Sequence, residues 1–341
     1  MCICKLMRVD GKCWARVLTC LCMIVYLGNF LLLDAARADM KRKTNEQQRL
    51  SVYNLSLKLI GHLDTSSPKQ VANVGNYVYV CTSKGVNVID VSIPSRPVLF
   101  GYLDTDHAMG IAIAGNYAYV ITKTGLMIID ISAPARPVLV GVLYLKRQCY
   151  DVVVSGDYAY IVDHVGLKIV NIAMPVAPVL VGSIATDGSA SGIAVAGKYA
   201  YVADGNSGLK IIDITNPVEP YLVGSLGNMY NAVKLVVSGK YVYIADCKGG
   251  LKIIDISIPT TPVLVGCLNV DNALDITIAG NYAYVADWHG GLKGIDISDP
   301  SAPIMLASCL VDGAAIAVSD GHYYVYVAAA QGLSIVRVKA P

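Results

Sequence analysis

The chain has 341 residues, of which 55% are hydrophobic and 15% charged, and its formal net charge is +2. It has no basic stripe and no polybasic patch, which argues against nucleic-acid binding and against attraction to anionic lipids. Five cysteines follow residue 38, an odd number at scattered positions. They predict neither a disulfide framework nor a zinc site.

The first 38 residues differ in kind from the rest. An uncharged apolar run, Val17 to Leu33, is preceded by basic residues and followed by the small-x-small sequence Ala36-Arg37-Ala38. This order is typical of a secretory signal peptide. A helix of that length reaches ~25 Å, short of the ~30 Å hydrocarbon core, so cleavage is favoured and an uncleaved anchor is the alternative.

Residues 39–54 carry charges and amides with little apolar content, and we predict that they form a flexible polar linker. Without residues 1–38 the chain has 22 basic and 23 acidic side chains. We therefore expect an exported, nearly neutral domain that is periplasmic, on the cell surface or extracellular.

From Leu55 onward the chain consists of repeats. Seven Tyr-x-Tyr pairs occur, spaced 40, 41, 41, 42, 41 and 42 residues apart, at Tyr77/Tyr79, Tyr117/Tyr119, Tyr158/Tyr160, Tyr199/Tyr201, Tyr241/Tyr243, Tyr282/Tyr284 and Tyr324/Tyr326. So regular a period indicates one supersecondary unit per repeat, stacked on its neighbours.

Each unit is predicted to contain four short strands, as in Ile111 to Leu143. A Gly-Asn, Gly-Asp or Gly-Lys pair predicts a two-residue hairpin between strands one and two. A glycine precedes strand three in all seven copies, which indicates that a side chain is excluded there. Strands three and four are joined by Pro-x-x-Pro, which we interpret as a rigid loop rather than a polyproline ligand.

The two ends of the chain complement each other. There are seven tyrosine pairs but six Pro-x-x-Pro loops, because the seventh copy ends after its third strand. The segment Leu59 to Leu63 resembles the missing fourth strand. The sequence thus predicts an all-β fold, a seven-bladed β-propeller of four-stranded blades over residues 55–341, closed by an N-terminal strand that completes the last blade. An open β-solenoid is the rival fold.

Two aspartate positions recur within the unit. The first, in strand three, is occupied by Asp90, Asp130, Asp213, Asp255 and Asp296, and we interpret it as a hydrogen-bonding cap of the following bend. The second ends strand two and is acidic in four consecutive copies, at Asp163, Asp204, Asp246 and Asp287. Turn capping is the favoured interpretation there as well, but the uneven distribution leaves room for a functional role.

Loops that differ between copies are the best candidates for recognition. In a propeller the loops between strands two and three share one face with the connections between blades, at one mouth of the central channel. Variable residues predicted on this face include Asp151, Lys234 and Asp275. The predicted binding residues are His107, Tyr150, His164, Asp187, Asp204, Tyr230, Asp246, Asp271, Asp287, Trp288 and His289. Trp288, beside Asp287 and His289, suits a sugar or peptide platform.

No cofactor, metal site or catalytic residue is predicted. His107, His164 and His289 lie in different copies without the local spacing of metal ligands. No nucleophile motif and no unique carboxylate pair stands out from the repeats.

The unit GNYAYVADGNSGLKIIDITNPVEPYLVGSL resembles the LVIVD repeat family, through its turn, tyrosine pair, glycine, apolar–Asp run and proline loop. That resemblance implies a β-propeller in an exported or surface setting and brings no catalytic residues. We expect a monomeric, non-enzymatic ring that binds a protein, glycan or envelope component at the channel mouth. The alternatives are a hydrolase or lyase that uses Asp and His at the same mouth, and a purely structural repeat.

Overall fold

A computed structural model describes residues 55–105, 107–321 and 323–340. The predicted signal segment and linker lie outside the described residues. The described chain forms seven antiparallel sheets of four strands each, which we number as blades 1 to 7.

The first four blades follow one another along the chain. Blade 1 contains β2 (Pro68–Val74), β3 (Tyr77–Thr82), β4 (Gly85–Asp90) and β5 (Val98–Asp104). Blade 2 contains β6 (Gly110–Ala114), β7 (Tyr117–Ile121), β8 (Gly125–Asp130) and β9 (Val138–Tyr144). Blade 3 contains β10 (Cys149–Ser155), β11 (Tyr158–Asp163), β12 (Gly166–Asn171) and β13 (Val179–Ala185). Blade 4 contains β14 (Gly192–Ala196), β15 (Tyr199–Ala203), β16 (Leu209–Asp213) and β17 (Tyr221–Leu226).

The remaining blades include the one that joins the two ends of the domain. Blade 5 contains β18 (Lys234–Ser238), β19 (Tyr241–Ala245), β20 (Leu251–Asp255) and β21 (Val263–Leu268). Blade 6 contains β22 (Ala273–Ala279), β23 (Tyr282–Asp287), β24 (Gly291–Asp296) and β25 (Ile304–Cys309). Blade 7 contains β26 (Ala315–Asp320), β27 (Tyr324–Ala329), β28 (Gly332–Lys339) and, as its outermost strand, β1 (Ser56–Asp64).

The blades form a closed ring. The first strand of each blade contacts the first strand of the next, and β26 of blade 7 contacts β2 of blade 1. β1 pairs antiparallel with β28 from Ser56↔Lys339 to Asp64↔Gly332. The predicted seven-bladed propeller, closed by an N-terminal strand, is confirmed.

The hydrophobic core is divided among the seven interfaces between neighbouring blades. In the interface of blades 4 and 5, for example, Tyr201 and Ile211 pack with Leu235, Val242 and Ile254. The second tyrosine of every pair is buried in this way, whereas the first is half-buried. The repeated tyrosines therefore belong to the scaffold.

Two predicted glycine roles are confirmed. Gly75 opens a two-residue hairpin with a φ of 56°. Gly85, before strand three, has a φ of 151°, and a Cβ there would overlap the main-chain carbonyl of Leu103 in strand four. Both conformations are ones that residues with a Cβ rarely adopt.

The proline loops also explain a glycine in strand four. A Cβ on Gly101 of blade 1 would overlap the main-chain oxygen of Pro134 in blade 2, and the same relation recurs from Gly61 to Gly266. In blade 6 the corresponding residue is Ala307, which pairs with Gly294 as Gly101 pairs with Val88. The next blade lacks a proline loop, so an alanine fits there.

Ring closure requires a space in blade 6. Position 294 of strand three is glycine, whereas the equivalent residues of blades 4 and 5 are Ile211 and Ile253. A Cβ on Gly294 would lie 2.6 Å from Cδ2 of Leu55. Leu55, at the start of the closing strand, thus fills the volume that isoleucine occupies elsewhere.

Replacing Gly294 with valine is expected to lower the free energy of unfolding by about 1–3 kcal/mol, because the new side chain collides with Leu55. Leu55→Ala alone is expected to cost about 2–5 kcal/mol through lost burial and a cavity. In the double variant the valine would occupy the vacated space, so its cost should be clearly below the sum. Denaturant unfolding of all four proteins measures this coupling; strictly additive costs would contradict the packing described here.

Candidate functional site

The candidate site is the face formed by the loops between strands two and three together with the connections between blades. Antiparallel order within each blade places both sets of loops at the same end of the strands. We call it the channel-mouth face. Blades 3 to 6 contribute most of the predicted binding residues, and these four blades are described first.

The aspartates that end strand two are buried and hydrogen-bonded. Oδ1 of Asp163 accepts hydrogen bonds from the main-chain N–H groups of Val165 and Gly166, and Oδ1 of Asp287 accepts one from His289. In these blades the carboxylate caps its own loop. The capping interpretation made from the sequence therefore describes Asp163 and Asp287.

Asp204 and Asp246 act over a longer range. Asp204 accepts hydrogen bonds from the Thr186 hydroxyl at 2.7 Å and from the Gly188 N–H at 2.9 Å. Asp246 accepts them from the N–H groups of Tyr230 and Asn231, at 3.1 and 2.7 Å. Each carboxylate thus ties the preceding inter-blade connection to its blade. Burial raises the pKa of Asp204, and the bonds from Thr186 and Gly188 oppose that rise.

A lysine accompanies each of these four acids in strand three, at Lys168, Lys210, Lys252 and Lys293. Blades 1, 2 and 7 have Thr82, Thr122 and Ala329 at the acidic position and Asn87, Met127 and Ser334 at the lysine position. Lys168 Nζ lies 2.5 Å from Asp163 Oδ2, and Lys293 Nζ lies 3.7 Å from Asp287 Oδ2. In blade 4, Lys210 pairs with Asp187 instead. The acid and the lysine thus occur together in the same four blades, a covariation visible in the sequence, and they form a direct ion pair in blades 3 and 6.

Tyr150, His164 and Ser189 form a hydrogen-bonded chain across blade 3. The Tyr150 hydroxyl is bonded to His164 Nε2, and His164 Nδ1 lies 3.2 Å from Ser189 Oγ. The two rings meet edge to face with their centroids 4.6 Å apart. Two residues predicted separately as binding residues are thereby brought together, and Ser189 is a partner that the sequence did not reveal.

Exposed aromatic side chains continue around the face through blades 5 and 6. Tyr230 is 57% exposed, and Nζ of Lys248 lies 5.8 Å from its ring centroid. Trp288 is 42% exposed, and its main-chain N–H donates to the Asn272 carbonyl at 3.0 Å. Trp288 and His289 therefore extend from a loop that is fixed to the neighbouring connection.

The other predicted binding residues are more dispersed. His107 is half-buried in the connection between blades 1 and 2, and Asp271 is exposed before blade 6. The Asp187 side chain is 82% exposed and pairs with Lys210 Nζ at 3.1 Å. The structure places these three residues on the channel-mouth face, on separate connections between blades.

A buried charged cluster lines the channel on the first strands of blades 3, 5 and 6. Lys234 Nζ lies 2.6 Å from Asp151 Oδ1. Asp151 Oδ2 accepts the N–H of Ile193 in blade 4, and Asp275 Oδ2 accepts the N–H of Val318 in blade 7, both at 3.0 Å. Each aspartate therefore binds the first strand of the following blade. The sequence could have revealed this cluster, because its three members share one repeat position, at which the other blades have uncharged residues. The residues at that position are Gln70, Gly110, Asp151, Gly192, Lys234, Asp275 and Ala317.

The alternative of an Asp/His hydrolase or lyase stays a prediction. Of the residues that it would use, Asp275 is inside the channel and Asp287 is buried against its own loop. Within residues 55–105, 107–321 and 323–340, no group of three or more His, Cys, Asp or Glu side chains could hold a metal ion.

Asp275 generates a testable pH dependence. Burial raises the pKa of Asp275 to about 6, and the nearby Asp151 carboxylate adds to this rise. The charge of Lys234 and the N–H groups of Val318 and Ile276 act in the opposite direction. The folded protein thus holds this proton more strongly than the unfolded chain, so the contribution of Asp275 to stability falls as pH rises from about 4 to 6. Relative to Asp275→Asn, the wild type should lose up to about 3 kcal/mol of unfolding free energy between pH 4 and 7. A difference that is constant with pH would refute this assignment.

These features define a class of protein, a closed β-propeller of seven four-stranded blades. A family model described as LVIVD repeat matches residues 67–105, 106–143, 146–186, 187–227, 231–270 and 271–311, and the chain belongs to this family. The six matches coincide with blades 1 to 6. Blade 7, assembled from both ends of the domain, is the blade outside them.

Solved structures share the fold at low sequence identity. The chain is similar to the computationally designed Ika8 protein, with a TM-score of 0.63, 12% identity and coverage of 83% of this chain and 100% of that one. It is also similar to the Myceliophteria thermophila Cps50 (Swd1) β-propeller domain, with a TM-score of 0.68, 10% identity and the same coverage. No curated protein matches the chain in sequence. Among the described residues, no helix has the length and apolarity needed to cross a membrane.

Proposed function

We propose that this protein is an exported binding scaffold that captures a protein, glycan or other cell-envelope component on its channel-mouth face. A propeller built from LVIVD repeats supports a scaffold or interaction role in general. The observation that carries the more specific proposal is the set of exposed aromatic side chains on loops that buried carboxylates fix in place. Tyr230 and Trp288 are its members, and Tyr150, a half-buried residue of strand β10, adds a hydroxyl that is bonded to His164.

The chemistry of these side chains suits stacking. Tyrosine and tryptophan offer a large apolar surface and a polar edge, which fits the faces of sugars and the side chains of peptides. The Tyr150–His164–Ser189 chain and the Tyr230–Lys248 pair add hydrogen-bonding groups beside the rings.

Rigidity is the second argument. Asp204 holds the connection that precedes blade 4, and Asp246 holds the residues Tyr230 and Asn231 directly through their main chain. A ligand that binds to preorganised loops loses less free energy to ordering. In blades 5 and 6, buried acids hold the loops that present Tyr230 and Trp288.

The export part of the proposal rests on residues 1–38, whose basic flank, apolar run and Ala36-Arg37-Ala38 sequence are those of a signal peptide or of an uncleaved anchor. An envelope setting would place the channel-mouth face among glycans and surface proteins. We assign no catalytic residue and no cofactor.

Trp288→Ala combined with His289→Ala is expected to abolish or strongly reduce capture of the native partner, because hot-spot aromatic residues contribute about 2 kcal/mol or more each. The measurement is a quantitative pull-down from the native envelope, followed by titration of the captured component. Tyr323→Ala is the matched control, since Tyr323 is also exposed but precedes strand two of blade 7 at the opposite end of the ring.

Unchanged capture of every partner by the Trp288/His289 variant would refute the assignment of this face. Equal loss in the Tyr323 variant would show that capture depends on the aromatic content of the surface in general.

A further inference from the structure

The face opposite the channel mouth carries exposed apolar side chains in blades 1, 3, 4 and 5. In four of the loops that join strands three and four, the large apolar residues Ile93, Met174, Val176, Val218 and Ile258 are between 58% and 66% exposed. We call these five residues the proline-loop rim. The first residues of the outer strands continue it, as with Val98 and Leu99, which are more than half exposed.

The packing of the propeller does not require this exposure. The blade contact made by these loops is that of the main-chain oxygen of the first proline, which packs against a strand-four glycine of the preceding blade. The side chains beside that proline point to solvent in blades 1, 3, 4 and 5. Several large apolar side chains exposed on one face indicate an interaction site.

The described chain begins on this same face. The strands of blade 7 can be aligned with those of blade 1, because Tyr324 pairs with Arg337 as Tyr77 pairs with Asp90. Lys339, two residues after Arg337, is then equivalent to Ser92, which lies next to the proline loop of blade 1. Ser56 pairs with Lys339. Ser56, at the start of β1, therefore lies at the level of the rim. In the uncleaved-anchor alternative, the residues before Leu55 would stay attached there and would include the uncharged run Val17 to Leu33.

We propose that the proline-loop rim rests on the surface of a lipid bilayer. Aliphatic side chains on the loops of four blades present the same chemistry at several points of one face, which matches a laterally uniform apolar partner better than a single protein with local relief. The six proline loops carry two basic residues, Arg96 and Arg136, and two acidic ones, Glu219 and Asp299, so contact with lipid would not depend on anionic headgroups.

This inference goes beyond the proposed function and uses the opposite face. Strands of five to seven residues separate the two loop sets in most blades, a height of roughly 20 Å. A ring lying on its rim would thus hold Trp288 and Tyr230 away from the bilayer, open to partners.

The test uses the full chain with residues 1–38 retained, reconstituted into phosphatidylcholine vesicles with brominated acyl chains, which quench tryptophan fluorescence at short range. The chain has two tryptophans, Trp14 and Trp288. Ile93→Trp in a Trp14→Phe, Trp288→Phe background reports on the rim, and Trp14→Phe alone leaves Trp288 as reporter of the opposite face. The rim reporter should lose about half of its emission, because interfacial apolar groups lie roughly 5–10 Å deep, and Trp288 should lose none.

A second comparison separates the rim from the tether. Adding Met174→Ser, Val176→Ser, Val218→Ser and Ile258→Ser to the rim reporter should remove most of its quenching, while the residues before Leu55 are unchanged. Val165→Ser with Leu310→Ser, which alters exposed apolar residues of the channel-mouth face, is the matched control and should have no effect. Near-ultraviolet circular dichroism confirms that each variant is folded.

Equal quenching of the two reporters, or no quenching of the rim reporter, overturns the proposal. Quenching that persists in the serine variant also overturns it, because the tether alone would then account for proximity. A third outcome is that the rim reporter is unquenched and the protein forms dimers in detergent solution that the serine substitutions abolish. In that case the rim binds a second copy of the chain and not a bilayer.

Discussion

The pairing of β1 with β28 is the contact on which the ring depends. Without it, blade 7 would end in an open edge of unpaired N–H and C=O groups, and the apolar surface between blades 6 and 7 would lose Leu55, Leu57 and Leu59. The two strands join residues about 280 positions apart. All seven interfaces become equivalent only after this contact forms, because each blade buries its apolar faces against two neighbours.

Repetition among the blades helps to separate polar residues with a structural role from those that could bind a ligand. A residue type that recurs at one position of most blades serves the geometry of the blade. The strand-three aspartates of five blades do so, because their Oδ1 atoms accept the N–H two residues ahead. The acids that end strand two occupy an intermediate position, since four blades have them and each has a lysine in strand three. Their carboxylates accept main-chain hydrogen bonds from the loops, while Tyr230 and Trp288 are the aromatic side chains exposed to solvent there.

The two ends of the ring differ in chemistry. The channel-mouth face combines aromatic rings with hydrogen-bonding and charged groups, whereas the proline loops expose aliphatic side chains beside their prolines. Between them, Asp151, Lys234 and Asp275 link first strands of several blades inside the channel. Under the two proposals made above, one face would orient the ring and the other would bind a partner.

The sequence by itself determined the number of blades, the order of strands and the closing strand, because the tyrosine, glycine and proline positions recur at a fixed period and one unit lacks its last strand. It also determined that the capping aspartates belong to the scaffold, since local turn chemistry acts over a few residues. Only the tertiary structure decided that Gly294 makes room for Leu55, that His164 joins Tyr150 to Ser189, and that Asp151, Lys234 and Asp275 meet inside the channel. Except for the pair Tyr150 and His164, which lies within blade 3, these contacts join different blades, a blade and a connection, or opposite ends of the domain, and their distances depend on tertiary packing rather than on any local sequence pattern.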